Sequence, residues 1–232
     1  ALTGYLRAEG MRVETETVLT RVTAEDGLKV VHYKQNGQER TARAHEILYA
    51  LGRVPNVAGL DLEKTGCEVH PISGVRVNEY LQTCNPDVYA VGDVTGMFPL
   101  VHVAIYQGEV AARNATGAVP EATDYRIVGA RTCFTDPQVA VVGATEKQLR
   151  NAGRAYDVAT YPFDDLGKAI AVGRTKGFVK MIADPEDGRL LGVAIIGPDA
   201  SDLIHESIVA MHFNATVDDL AGIPHLHPTL AE

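Results

Sequence analysis

Apolar residues recur along this chain at two periods, and the periods change in blocks. From Leu203 to Phe213, Ile204, Ile208 and Met211 stand at helical spacing, which predicts a helix with one apolar stripe serving as core or as a dimer contact. Upstream, the apolar run 139–143 reads as a strand. Thr145-Glu146-Lys147-Gln148 behind it matches a capping box and starts a short helix. Phe178 to Ile182 and Leu190 to Ile196 flank an Asp187-Gly188 turn, so they form a hairpin in an antiparallel sheet.

The first third of the chain is patterned differently. Leu2 and Leu6 stand at i,i+4 with Gly10 as a stop, which predicts a short helix over residues 1–9. Val30 to Tyr33 and Arg40 to Arg43 flank Asn36-Gly37, a dipeptide suited to a type I′ turn, so a β-meander is expected there. Ile47 to Leu51 is an unbroken apolar run and reads as a buried strand feeding Gly52-Arg53-Val54-Pro55-Asn56. Ser73-Gly74 and Asn85-Pro86 punctuate the next stretch as turns. Residues 86–93 read as an apolar strand ending at Gly92-Asp93, followed by a helix from Val101 to Arg113. Residues 121–126 look like a linker into the last domain.

Composition narrows the class. With 232 residues, 46% of them hydrophobic, the chain buries a substantial core in about two compact units. No apolar run is long enough for a membrane helix, and Ala1-Leu2-Thr3-Gly4 does not resemble a signal sequence, so no membrane role and a cytoplasmic location are expected. A net charge of −9 argues against nucleic-acid binding, which depends on Lys and Arg neutralising phosphates. The cysteines, Cys67, Cys84 and Cys133, fit a reducing compartment.

Two segments carry candidate chemistry. The run His227-Pro228-Thr229-Leu230-Ala231-Glu232 places an imidazole and a carboxylate five positions apart around a turn-forming proline. Such a carboxylate orients the ring and stabilises its protonated form, as acid/base catalysis requires, although the same pattern also suits a solvated or capped histidine. Gly92-Asp93, delivered to a helix start, suits a ligand bearing a ribityl chain or a phosphate: glycine permits close backbone approach and Asp accepts from sugar-like hydroxyls. The alternative is a strand-turn-helix with an Asp N-cap. Metal sites fare poorly. His205-Glu206 begins like HExxH but fails at Val209, and His225-x-His227 supplies only two ligands.

Taken together, TCNPDVYAVGDV, HLHPTLAE, ALGRVPN at 50–56, FTDPQVAVVGATEKQ at 134–148 and the stretch 177–206 resemble the pyridine nucleotide-disulfide oxidoreductases, the flavin-dependent family of dihydrolipoamide dehydrogenase, glutathione reductase and mercuric reductase. The HPTLAE ending is most similar to the dihydrolipoamide dehydrogenase branch. The resemblance covers nearly the whole chain, yet the family's GxGxxG loops and its Cys-x4-Cys pair have no counterpart here. The cysteines are too far apart in sequence for that motif, so no redox disulfide is expected in this chain.

The resemblance implies the C-terminal half of a longer enzyme: an α/β remnant of a nicotinamide-binding domain at 1–52, the last part of an FAD domain at 53–125, and an α+β antiparallel-sheet dimerisation domain at 126–232. It implies nicotinamide-side contact at Gly52, FAD contact at Gly92 and Asp93, a flavin approach lined by Leu100, Val101 and His102, and a catalytic dyad of His227 and Glu232 that crosses a homodimer interface. Read from the residues alone, Gly52 sits in a Gly/Pro exit loop and His102 is a helix-cap histidine. The implied cofactors are FAD and NAD(P), held by the longer enzyme and not by this chain alone. The implied partners are a second copy, the N-terminal half of the same enzyme, and a disulfide or dithiol substrate. Two other readings stand beside this one: a catalytically silent dimerisation module, and a relative that reduces a different acceptor such as a metal ion.

Overall fold

A computed structural model of the chain describes residues 1–117 and 119–232. The chain divides into two compact units, one of Thr3–Arg53 and one of Ala1–Leu2 with Val54–Glu232. It opens with helix α1 (Leu2–Ala8). The helix ends in a Schellman motif: Gly10, at φ 92°, donates to Arg7, and Met11 donates back to Leu6.

Three antiparallel strands follow, β1 (Thr17–Glu25), β2 (Leu28–Gln35) and β3 (Gln38–Ala44), in the order β1-β2-β3. Asn36 and Gly37 have φ 51° and 78°, as a type I′ turn requires, and they set the Gln35–Gln38 register. Asp26-Gly27 repeats the device between β1 and β2, with φ 50° and 77°. The expected meander is therefore present. The expected buried strand at Ile47–Leu51 is not: the segment has no regular structure, and Leu48 and Tyr49 are 93% and 78% exposed. An apolar run becomes a buried strand only beside partner strands, and among the described residues none runs alongside it.

The larger unit begins irregularly, with β4 (Val69–His70) and β5 (Gly74–Val75) forming a minimal hairpin. Residues 86–93 do not form the expected strand either. They contribute a single bridge, Gln82 to Tyr89, before a 3₁₀ turn over Gly92–Thr95. The cause is the same: the run lacks parallel neighbours. Helix α2 (Val101–Ala115) then packs Val110 and Ala111 against Leu81, with Val77, Tyr89, Val91 and Tyr106 around them.

The segment read as a linker is tied down along its length. Arg113 grips Glu121 at 2.7 Å, Thr123 donates its N–H to the Glu79 carbonyl, and Asp124 caps α3 (Tyr125–Val128).

Beyond it the elements are β6 (Arg131–Cys133), β7 (Gln138–Gly143), α4 (Glu146–Asn151), β8 (Asp157–Pro162), α5 (Gly167–Ala171), β9 (Phe178–Ala183), β10 (Leu190–Gly197), α6 (Ala200–His212) and α7 (Val217–Ala221). The five strands make one antiparallel sheet in the order β6-β7-β10-β9-β8. Central β10 reads Leu-Leu-Gly-Val-Ala-Ile-Ile-Gly and is largely buried, because a strand covered on both faces needs apolar residues in succession. Edge strand β8 is exposed at every position. The Thr145 capping box forms as read, with Gln148 reaching back to the Thr145 N–H at 2.9 Å.

Helix α6 lies against β7 and β10. Its stripe turns into this core: Ile204 and Met211 are 3% and 9% exposed, and Ile208 packs against the same cluster. Of the two uses open to the stripe, the structure selects core, so it is not a face left over for a second copy. Each such side chain contributes about 1.5–3 kcal/mol through burial.

Candidate functional site

The tail after α7 carries the dyad. Thr216 and Asp219 cap α7 reciprocally, and the chain then runs without regular structure from Ile223 to Glu232. Leu230 anchors this run by packing on the sheet core. His227 Nδ1 stands 2.8 Å from Glu232 Oε1, while the other carboxylate oxygen accepts from the Thr229 N–H at 2.8 Å. A carboxylate is an acceptor, so Nδ1 carries the proton and the basic lone pair of the neutral ring sits on Nε2. The His227 side chain is 77% exposed, so Nε2 faces solvent. The Thr229 N–H, then the His227 ring, hold the Glu232 carboxyl below the usual carboxylate range.

A neighbouring pair escaped sequence reading. His225 Nε2 lies 2.6 Å from Glu206 Oε1 on α6, and its Nδ1 lies 2.9 Å from the Ile223 carbonyl. Both partners are acceptors, so the surroundings favour the protonated ring, which donates from both nitrogens. Its pKa is raised accordingly, chiefly by the hydrogen bond to Glu206. This ion pair fastens the tail to α6 two residues before His227. It also accounts for both halves of the considered metal patterns: Glu206 and His225 bind each other, and no cluster of three metal-ligating side chains occurs among the described residues.

The second constellation lies where the 3₁₀ turn meets α2. Gly92 is buried at φ 72°, and a Cβ there would come within 3.2 Å of the Ala104 Cβ, so glycine lets α2 pack against the turn. Its N–H donates to Gln107 Oε1 at 2.6 Å, and Gln107 Nε2 donates to the Tyr125 hydroxyl at 2.8 Å. Gln107 is fully buried. Thr95 Oγ1 closes the turn on the Gly92 carbonyl at 2.8 Å. Asp93, next along, is exposed. It lies in the first turn of the 3₁₀ segment, whose N-cap position is Val91, so the Asp N-cap alternative does not hold.

Leu100 is the N-cap of α2, extended and without a capping side chain, which leaves the helix's first backbone N–H groups to an external acceptor. Val101 is 78% exposed. The His102 ring is turned to the Ala130 carbonyl, 2.9 Å from Nε2, so at this helix start the residues offer backbone rather than imidazole. Gly52 belongs to the other unit, exposed at φ 100°, and a Cβ there would meet nothing within 4 Å. Its glycine is required by conformation, not by close approach within the chain.

Residues 1–108 match the pyridine nucleotide-disulphide oxidoreductase family, and residues 129–232 match the dimerisation domain of the same family. The chain belongs to that family. Its members are FAD-dependent and use NAD(P), and this one carries the family's dimerisation domain. Dihydrolipoyl dehydrogenase of Thermus scotoductus is 38% identical over 98% of the chain and 49% of its own length. Leghemoglobin reductase of Glycine max is 35% identical over 98% of the chain and 43% of its own length. Among solved structures, LpdA of Mycobacterium tuberculosis superposes with a TM-score of 0.87 at 29% identity, over 99% of this chain and 49% of that one. The chain thus spans about half the length of the relatives it matches. Among the described residues, no helix is long and apolar enough to cross a membrane.

Proposed function

We propose that this chain supplies the acid/base and flavin-side contacts of an FAD-dependent NAD(P)H-disulfide oxidoreductase working as a cytoplasmic homodimer. The single observation that carries the reading is the His227–Glu232 pair: a carboxylate oxygen 2.8 Å from Nδ1 and an exposed ring. That arrangement suits Nε2 to proton exchange with an external thiol. In the dithiol-oxidising direction, Nε2 removes the proton from a substrate thiol. The resulting thiolate attacks one sulfur of the enzyme's redox disulfide, breaking that S–S bond and forming a mixed disulfide, while Glu232 stabilises the imidazolium. In the reverse direction the imidazolium returns the proton.

The turn and helix start fit a flavin. Gly92, its N–H and carbonyl held by Gln107 and Thr95, shapes the turn that carries Asp93, an exposed carboxylate able to accept from ribityl hydroxyls, and residues 100–102 offer an uncapped helix N-terminus suited to negative charge. FAD, when bound, supplies the electron relay between nicotinamide and disulfide. Gly52 is assigned to the nicotinamide side by resemblance alone. The domain assignment follows the same reading: 1–52 nicotinamide-binding, 53–125 FAD-binding, 126–232 dimerisation. The Gly-rich loops and the Cys-x4-Cys pair belong to the other half, so this chain in isolation acts as a dimerisation module without turnover.

The test separates two half-reactions in the enzyme that joins this chain to its flavin-bearing half. His227→Gln should slow thiol-disulfide exchange by about a hundred- to ten-thousandfold while reduction of the flavin by NAD(P)H keeps its rate. Glu232→Gln should do less harm, since that carboxylate orients the ring and moves no proton. Equal losses in both half-reactions would show His227 to be structural.

A further inference from the structure

Cys67 and Cys84, far apart in sequence, are neighbours in space. Segments 65–67 and 83–85 run side by side, with Asn85 Nδ2 donating to the Thr65 carbonyl at 3.1 Å. The contacts of the two sulfurs cross. Cys84 Sγ lies 3.1 Å from the Gly66 carbonyl, and Cys67 Sγ lies 3.1 Å from Thr83 Oγ1. Each sulfur therefore touches the residue just before the other cysteine. Both are free thiols, Cys84 exposed and Cys67 half-buried, and Cys133 stands on β6 in the sheet domain.

We propose that Cys67 and Cys84 form an oxidisable thiol pair that reacts with small disulfides of the glutathione type. The Cys-x4-Cys motif has no counterpart in the sequence, and this pair is instead brought together by the fold. Cys67 is the attacking group: the Thr65 and Thr83 hydroxyls facing its sulfur, with Cys84, bring its thiol below the ordinary range. Its thiolate attacks one sulfur of the small disulfide, forming a mixed disulfide and releasing one small thiolate. Cys84, deprotonated in turn, attacks the Cys67 sulfur, forming the Cys67–Cys84 bond and expelling the second small thiol. In sum, the pair loses two protons and two electrons, and the small disulfide gains them as two thiols. Exposure suits Cys84 to this resolving step, since it is free to turn from the Gly66 carbonyl.

The test needs neither flavin nor substrate. The reduced chain is incubated with oxidised glutathione, quenched by alkylation, and mapped by mass spectrometry. The expected product is a linked peptide pair containing Cys67 and Cys84, with Cys133 still alkylated and the link reversed by dithiothreitol. In Cys84→Ser, glutathione should remain on Cys67. In Cys67→Ser, the adduct on Cys84 should form about tenfold more slowly. The proposal is overturned if both thiols stay alkylatable, if a glutathione adduct persists on the unaltered chain, or if the link runs through Cys133.

Discussion

Replacing Gln107 by leucine tests how the Gly92-Asp93 turn is held. Leucine matches glutamine closely in size, so the change leaves little cavity and removes two hydrogen bonds, from the Gly92 N–H and to the Tyr125 hydroxyl. The two losses differ in weight. Gly92 is buried and its N–H is left without an acceptor, which costs about 1–3 kcal/mol, whereas the part-buried hydroxyl turns to water at small cost. The sum is about 2 kcal/mol, or roughly a thirtyfold change in an opening equilibrium at 1.4 kcal/mol per factor of ten. Hydrogen exchange reads this at the bond concerned. The Gly92 amide should exchange about thirtyfold faster than in the unaltered chain, while the Ala104 amide, which donates to the Leu100 carbonyl within α2, keeps its protection. In the flavin-bearing enzyme the same change should weaken FAD retention without slowing thiol chemistry. Gly92 exchange unchanged within about threefold would refute the clamp, since less than about 0.7 kcal/mol would then be at stake.

Ile208→Asp places a carboxylate against the sheet core, so it should cost several kcal/mol and lower the urea midpoint of the larger unit, while the mass of the folded fraction stays unchanged by light scattering. A soluble, folded monomer with an unaltered midpoint would restore the dimer-contact reading of the α6 stripe. The His225–Glu206 pair should make the tail's attachment pH-dependent. Because folding raises the His225 pKa, its stabilisation is complete below the ordinary histidine value of about 6.5 and is lost as pH rises through the raised folded value. NMR titration of the His225 ring should show that upward displacement, and Glu206→Gln should remove most of it.

Local signals survived into the structure where a few consecutive residues determine the outcome. Asn36-Gly37 makes its turn, Thr145 and Gln148 make their box, and His227 meets Glu232 within one short tail. The two apolar runs failed for the opposite reason. Whether Ile47–Leu51 or residues 86–93 become buried strands depends on neighbours along the sheet, and period alone carries no information about them. Side-chain pairs joining distant segments were equally silent. Glu206 and His225 meet because the tail folds back over α6, and Cys67 and Cys84 because two loops run together. Gln107 is harder still, since a polar residue in an amphipathic helix reads as solvent-facing until its buried partners are known.

The uncovered run at Ile47–Leu51 has a consequence for the chain in solution. Ile-Leu-Tyr-Ala-Leu is uncharged, free of proline and rich in residues that favour extended pairing, and its backbone joins no ladder. Such a segment is a template for cross-β association between copies. Five residues thus carry an association hazard of their own, and a single lysine at Leu48, 93% exposed and outside the buried core clusters, would act as a gatekeeper against it without loss to the fold.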